Sequence, residues 1–184
     1  MTQPEPKLKF TVADYMTMPE DKRYQLLDGE LIVAPAPIIR HQRILRRLFR
    51  SLDVYVNELQ FGEVFVAPCD VVLSNYDVVQ PDILFVSQER AEIITEANIQ
   101  GAPDLVVEIL SPGTVQYDRG YKRTLYGRHG VREYWLVDPE AELVEVLTLG
   151  SAGLTVESTY SRRQTLASPL LAGFSLELEQ VFGQ

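Results

Sequence analysis

"PDLVVEILS", residues 103–111, is the stretch on which the reading of the fold turns. Val106, Val107, Ile109 and Leu110 suit the interior of a sheet, and Glu108 stands in their midst. Strand side chains alternate between faces. Asp104, Val106, Glu108 and Leu110 therefore share one face, and Leu105, Val107 and Ile109 share the more apolar other. A carboxylate placed among apolar neighbours is costly unless it is paired or holds a metal ion.

A second acid occupies a comparable place. Asp82 follows Pro81 inside "VVQPDILFV", residues 78–86. Proline has no N–H to give a ladder, so it marks an edge, a bulge or a strand start, and such a break aims one side chain out of register. A third acid, Glu30, follows Asp28-Gly29 in "RYQLLDGELIVAP", residues 23–35, which carries the turn signal of a hairpin. Acids that converge repel one another, and a divalent cation removes that objection. Mg²⁺ takes hard oxygen ligands, uses few carboxylates and keeps waters for a substrate phosphate. It also activates water and steadies charge on a phosphoryl oxygen. Lys122 adds positive charge at the same place. Each residue has a plainer reading too: Glu108 paired with a surface arginine, Asp82 a turn acid, Glu30 a solvated hairpin residue, Lys122 a helical partner of Asp118 four residues earlier.

Around these acids the chain alternates strands and helices. Ile44, Leu45, Leu48, Phe49, Leu52, Tyr55, Val56 and Leu59 recur at helical spacing and predict a long amphipathic helix over 38–59. Arg40, Arg43, Arg46, Arg47 and Arg50 fall on its opposite face. "TVADYMTM", 11–18, predicts a short helix capped by Thr11, and 114–129 predicts a second long helix ending at Gly130. Strands are expected at 63–68, 70–74, 78–86, 103–111, 132–139 and 142–149, with weaker ones at 154–160 and 174–182 and a short helix at 87–94. The order predicts an α/β fold, a single domain over 1–184 with 1–10 as a loose arm, built on a central mixed sheet flanked by helices.

The bulk numbers narrow the classes. The chain has 184 residues, is 46% hydrophobic and carries a net charge of −9. It shows no apolar run of membrane-spanning length, no signal-peptide pattern in "MTQPEPKLKF" and one cysteine, Cys69, so a cytoplasmic protein is expected. The acidic balance argues against loose affinity for nucleic acid unless positive charge is gathered on one face.

The phrases "YQLLDGEL", "QPDILFV", "GAPDLVVEILSPGT" and "DRGYKRTLYGRHGVREYWLVDP" resemble the bacterial Uma-type family of restriction-endonuclease-like proteins, within the PD-(D/E)XK nuclease superfamily. The likeness runs from about residue 11 to residue 148. It implies a restriction-endonuclease-like core and Mg²⁺-dependent phosphodiester cleavage, with Mn²⁺ as a substitute. Carried over, Pro81-Asp82 is the "PD", Glu108 is the second acid, and Glu30 is the acid of the N-terminal region. Asp82 and Glu108 would hold the metal. The family pattern puts lysine two residues after the second acid. Leu110 stands there in this chain, and Lys122 on the next helix is the nearest replacement.

The leading expectation is a metal-dependent endonuclease acting on nucleic acid, DNA in particular. Arg40, Arg43, Arg47, Arg119 and Arg123 are its candidate phosphate contacts, or else a solvated face that balances an acidic protein. A homodimer that pools two such patches is compatible with this reading. The alternative is a catalytically inactive nuclease-fold binding module, which the loss of lysine at 110 favours. A serine hydrolase has no G-x-S-x-G to support it. His41 falls in the apolar arc of its helix and reads as a core or site-wall residue; Trp135 and the tyrosines at 117, 121 and 126 read as packing, and Cys69 as structural.

Overall fold

The computed structural model describes residues 8–19 and 22–183. Most of the expected arm, residues 1–7, lies outside the described residues. Helix α1 (Val12–Tyr15) opens at Thr11, whose hydroxyl accepts from the Asp14 N–H while the Asp14 carboxylate accepts from the Thr11 N–H. Strands β1 (Tyr24–Leu27) and β2 (Glu30–Val33) form the expected hairpin, with positive φ at both Asp28 and Gly29. Helix α2 (Ile39–Glu58) follows, and its buried residues Ile44, Leu48, Leu52 and Val56 are the predicted face. Next come β3 (Gly62–Val66), β4 (Val71–Ser74), β5 (Asp77–Val79), β6 (Ile83–Ser87), β7 (Ile99–Gln100) and β8 (Leu105–Ile109). A π-helical turn over Tyr117–Lys122 leads into α3 (Arg123–His129), which ends at Gly130 in the left-handed region with φ 93°. The chain closes with β9 (Glu133–Asp138), β10 (Leu143–Gly150), β11 (Gly153–Ser161), β12 (Thr165–Ala167), β13 (Ser175–Glu177) and α4 (Leu178–Phe182).

The long strands make one mixed sheet in the order β11-β10-β9-β8-β6-β3, in which only β8 and β9 run parallel. A second sheet runs β2-β1-β5-β4-β7. The expectation of one strand over 78–86 is corrected here. The run is two strands in two different sheets, β5 and β6, joined through Gln80-Pro81-Asp82. Pro81 offers no N–H to either ladder, so the chain turns between sheets where that loss is harmless. The second long helix is present as expected, a continuous helical run over 115–129 that is π-helical at Tyr117–Lys122, whereas 174–182 is a strand followed by a helix.

β8 is buried on both faces, so neither is the polar side of the sheet. Leu105, Val107 and Ile109 pack with α2, Trp135 and the C-terminal segment; Val106 and Leu110 pack under Leu125, Tyr126 and Tyr134. Two parallel or near-central strands covered on both sides read as unbroken apolar runs, and that is why Glu108 stands out. Among the described residues no helix is long and apolar enough to cross a membrane.

Asp104 pins the start of β8. It is fully buried and accepts from the Ser87 N–H at 2.8 Å and from Arg90 at 3.1 Å. Burial pushes its carboxyl up, but the Ser87 N–H and the Arg90 guanidinium outweigh that and hold it below the ordinary aspartate value. A carboxylate held low in the folded chain adds stability above its unfolded value, about 3.9; that stability drains away as pH falls through the lower folded value. Asp104→Asn is therefore expected to flatten the acid limb of stability below about pH 4. Urea midpoints measured across the acid range check this, and identical limbs in both proteins would refute it.

Candidate active site

The corner between the two sheets and the C-terminal end of β8 set Asp82 and Glu108 beside one cavity. β6 and β8 pair antiparallel with Ile83 opposite Val107, so the residue before β6 lies next to the residue after Val107. Asp82 Oδ2 accepts from the Ile109 N–H at 2.7 Å and lies 3.2 Å from His41 Nε2. Glu108 Oε1 accepts from Lys122 Nζ at 2.9 Å and from the Tyr126 hydroxyl at 2.8 Å. Each carboxylate thus has one oxygen engaged by two neighbours. The second oxygens, Asp82 Oδ1 and Glu108 Oε2, make no hydrogen bond among the described residues.

Lys122 reaches this point because of the π-helical turn. Its Nζ sits between Glu108 and Asp118 Oδ1, the latter at 3.0 Å, and the side chain is 3% exposed. The Asp118 pairing anticipated from helical spacing is present together with the one to Glu108, so the two readings of this lysine coexist. The Asp118 backbone carbonyl accepts from the Tyr134 hydroxyl, and Tyr134 meets Tyr126 edge-on at 5.1 Å. The shell behind the carboxylates is therefore rigid and aromatic.

Charge does not balance in this cluster: Asp82, Glu108 and Asp118 face the single ammonium of Lys122. Burial drives the Glu108 carboxyl up, to about 8, against the pull of Lys122, and the negative charges of Asp118 and Asp82 add to the rise. Burial alone would lower Lys122, but Glu108 and Asp118 outweigh it and keep the ammonium charged. An excess of negative charge in a dry place is what a divalent cation would relieve. Among the described residues no three His, Cys, Asp or Glu side chains form a ready-made cage. Asp82 and Glu108 bring two carboxylates to one cavity, a number that hard divalent cations take from a protein while filling the rest of the shell with water and substrate oxygens.

The cavity measures about 450 Å³ and is lined by Asp82, Glu108, Lys122 and His41. Its walls are the 34–38 segment before α2, the 110–115 loop after β8 and the 138–140 turn, with Arg23, Gln25 and Gln80 closing one side. Glu30 is exposed at the start of β2 and is not part of the lining; the hairpin contributes Arg23 and Gln25 instead. Tyr126, read from the sequence as packing, holds Glu108, while His41 lines the cavity and Asp118 pairs with Lys122 in keeping with their sequence readings. The apolar arc of α2 placed His41 inside, but nothing in the sequence tied it to Asp82.

The candidate phosphate-binding arginines are mostly engaged within the chain. Arg40 pairs with Glu140 at 3.1 Å and Glu142 at 3.5 Å, and Arg47 donates to the Val181 and Gly183 carbonyls. Arg119 pairs with Glu145 and Asp138, and Arg123 donates twice to the Leu154 carbonyl. Arg43 is exposed.

The Uma2 family, described as "Putative restriction endonuclease", matches residues 12–179. A search of curated proteins found no match. Among solved structures, the chain is similar to a protein from Anabaena variabilis ATCC 29413 described as a putative nuclease belonging to DUF820. The two are 20% identical, the superposition covers 94% of this chain and 97% of the other, and the TM-score is 0.78. At that identity the likeness concerns the fold, a mixed α/β arrangement of sheets flanked by helices.

Proposed function

This chain belongs to the Uma2 family of restriction-endonuclease-like proteins, and on that premise we propose that it is a Mg²⁺-dependent endonuclease that hydrolyses phosphodiester bonds in DNA. The observation that carries the reading is that Asp82 and Glu108, each hydrogen-bonded through one oxygen alone among the described residues, line one cavity together with the buried ammonium of Lys122. Asp82 and Glu108 hold the ion, with Mn²⁺ as a working substitute. When bound, the ion lowers the pKa of water and offsets charge on the phosphoryl oxygens.

The chain's own groups do the rest. Lys122 is clamped by two carboxylates and stays charged, so it offsets negative charge that builds on the phosphoryl group and does not act as the base. In the reaction a water oxygen bonds to phosphorus and gives up its proton to solvent, one P–O ester bond breaks, and the departing oxygen takes a proton from solvent. Tyr126 and Lys122 keep Glu108 Oε1 occupied, so that Oε2 faces the cavity.

His41 is a positioning residue in this scheme. Its Nδ1 is buried without a partner, which favours the tautomer with hydrogen on Nε2, donated to Asp82 Oδ2. Outer partners of ligating groups are typically worth about 10–100-fold in affinity or activity. His41→Ala is expected to weaken Mn²⁺ binding and slow cleavage by roughly tenfold, while His41→Gln, which still donates, recovers most of both. Equal loss in the two variants would show that the ring only fills space.

The direct test is calorimetric titration of Mn²⁺ into the wild type and Asp82→Ala, followed by incubation of circular single-stranded DNA and of supercoiled plasmid with each. Ion binding and cutting of at least one of the two DNAs by the wild type, both absent in the variant, are expected. A wild type that binds no ion overturns the proposal and favours a binding module on a nuclease fold.

A further inference from the structure

We infer that the substrate of this site is single-stranded, entering as an unpaired nucleotide or a splayed end, and that intact duplex is excluded. The inference rests on the nuclease reading above and names its substrate class. Three observations support it.

The reacting groups are recessed: Glu108 is 4% exposed, Lys122 3% and His41 8%. A phosphodiester has to come down to them, and the space leading there is about 450 Å³. Pockets of that size enclose a drug-sized ligand, which a single nucleotide matches and a base pair within a duplex does not. Enzymes that do chemistry on a base in such a pocket act on single strands or take the nucleotide out of the stack.

The walls suit a base and a sugar. Pro35, Pro37, Ile38, Leu110, Pro112 and Val115 give the cavity apolar lining beside Asp82, Glu108 and Lys122. An unpaired base packs its faces against such lining while its phosphate meets the charged groups. A duplex buries its base faces internally and offers nothing to these walls.

The charge around the mouth is wrong for a duplex track. Duplex binding draws its affinity from Lys and Arg neutralising many phosphates in a row. Arg40, Arg119 and Arg47 are committed to Glu140, to Glu145 and Asp138, and to the Val181 and Gly183 carbonyls. Arg43, Arg46 and Arg50 are exposed but do not line the cavity, whereas Glu140 and Asp138 do. Among the described residues the lining carries Arg23 and Lys122 as its lysine and arginine side chains, enough for one or two phosphates and not for a long run.

The test uses the full chain with Mn²⁺ and three end-labelled DNA substrates of one sequence: a single strand, its blunt duplex, and a fork with two unpaired arms. Initial rates are measured alongside anisotropy with Ca²⁺ in place of Mn²⁺. The expected result is cutting of the strand and the fork arms at least tenfold faster than the duplex, with tighter binding of the single strand. Duplex cut as fast as single strand overturns the inference and leaves the nuclease reading standing. Cutting of none of the three, in a protein that binds Mn²⁺, overturns both. Ala36→Trp provides a second arm, because Ala36 is an exposed lining residue whose enlargement obstructs the cavity without disturbing the core. It should slow single-strand cutting at least tenfold with Mn²⁺ affinity unchanged; full activity in that variant counts against the pocket as the entry route.

Discussion

Replacing Glu108 with glutamine should abolish cleavage and leave the protein as stable as before, or more so. The glutamine side-chain oxygen still accepts from Lys122 and Tyr126, so the packing around β8 is kept. What disappears is a buried negative charge that the fold tolerates poorly, as the upward drive on its carboxyl shows. A group whose folded value is raised contributes its stability below the unfolded value and loses it as pH rises through the folded one. The advantage of Glu108→Gln should therefore grow from about 4.5 to about 8, the ordinary and raised values of this carboxyl, and level off above. Chemistry should move the other way. Losing a charged ion ligand removes several kcal/mol of transition-state stabilisation, about 10³-fold or more in rate. Thermal melts over that pH range and single-turnover cleavage read the two effects separately. A variant that loses stability and activity together would mean that Glu108 serves the fold alone.

Lys122→Met is expected to be the most damaging single substitution in the cluster. Methionine matches the volume of the stem but leaves Glu108 and Asp118 buried with no positive partner. Breaking a buried ion pair from one side typically costs about 3–5 kcal/mol. In a chain of this size each kcal/mol shifts the melting point by roughly 2–4 °C, so a drop of about 6–20 °C is expected. Adding Glu108→Gln should return more of the loss than Glu108→Gln gains in the wild type, because one stranded charge is removed. Urea midpoints of the single and double variants check this; a double variant at the sum of the two single effects would show that the two side chains do not act as a pair.

Both outcomes bear on what the sequence discloses. The carboxylates are legible because they interrupt apolar runs: Glu108 within β8 and Asp82 beside Pro81 are anomalies that invite a chemical reading. The hairpin is legible because Asp28-Gly29 demands positive φ at adjacent residues. Other features leave no local trace. A run of nine apolar and polar residues at 78–86 looks like one strand, and only tertiary pairing divides it between two sheets. Helical spacing over 114–129 carries no sign of the wider turn that delivers Lys122. Glu30 looks as suggestive as Asp82 in the sequence, yet β2 directs it away from the cavity. Arg40, Arg47 and Arg119 belong to a basic pattern on paper, but their partners come from the turn after β9, from α4 and from β10, which no pattern near them announces.

The π-helical turn over Tyr117–Lys122 has an evolutionary consequence. Such turns accommodate one residue more than an α-helix would, and each residue of an α-helix rotates the next by about 100°. Gly120 lies within the turn with open space where a side chain would be. Deleting that one codon would let the segment relax into a continuous α-helix and swing the ammonium off the carboxylates, disarming the catalyst while the surrounding sheets persist. Reinserting it would restore the arrangement in a single step, so on the nuclease reading one in-frame indel at Gly120 separates a form with the ammonium in place from one without it.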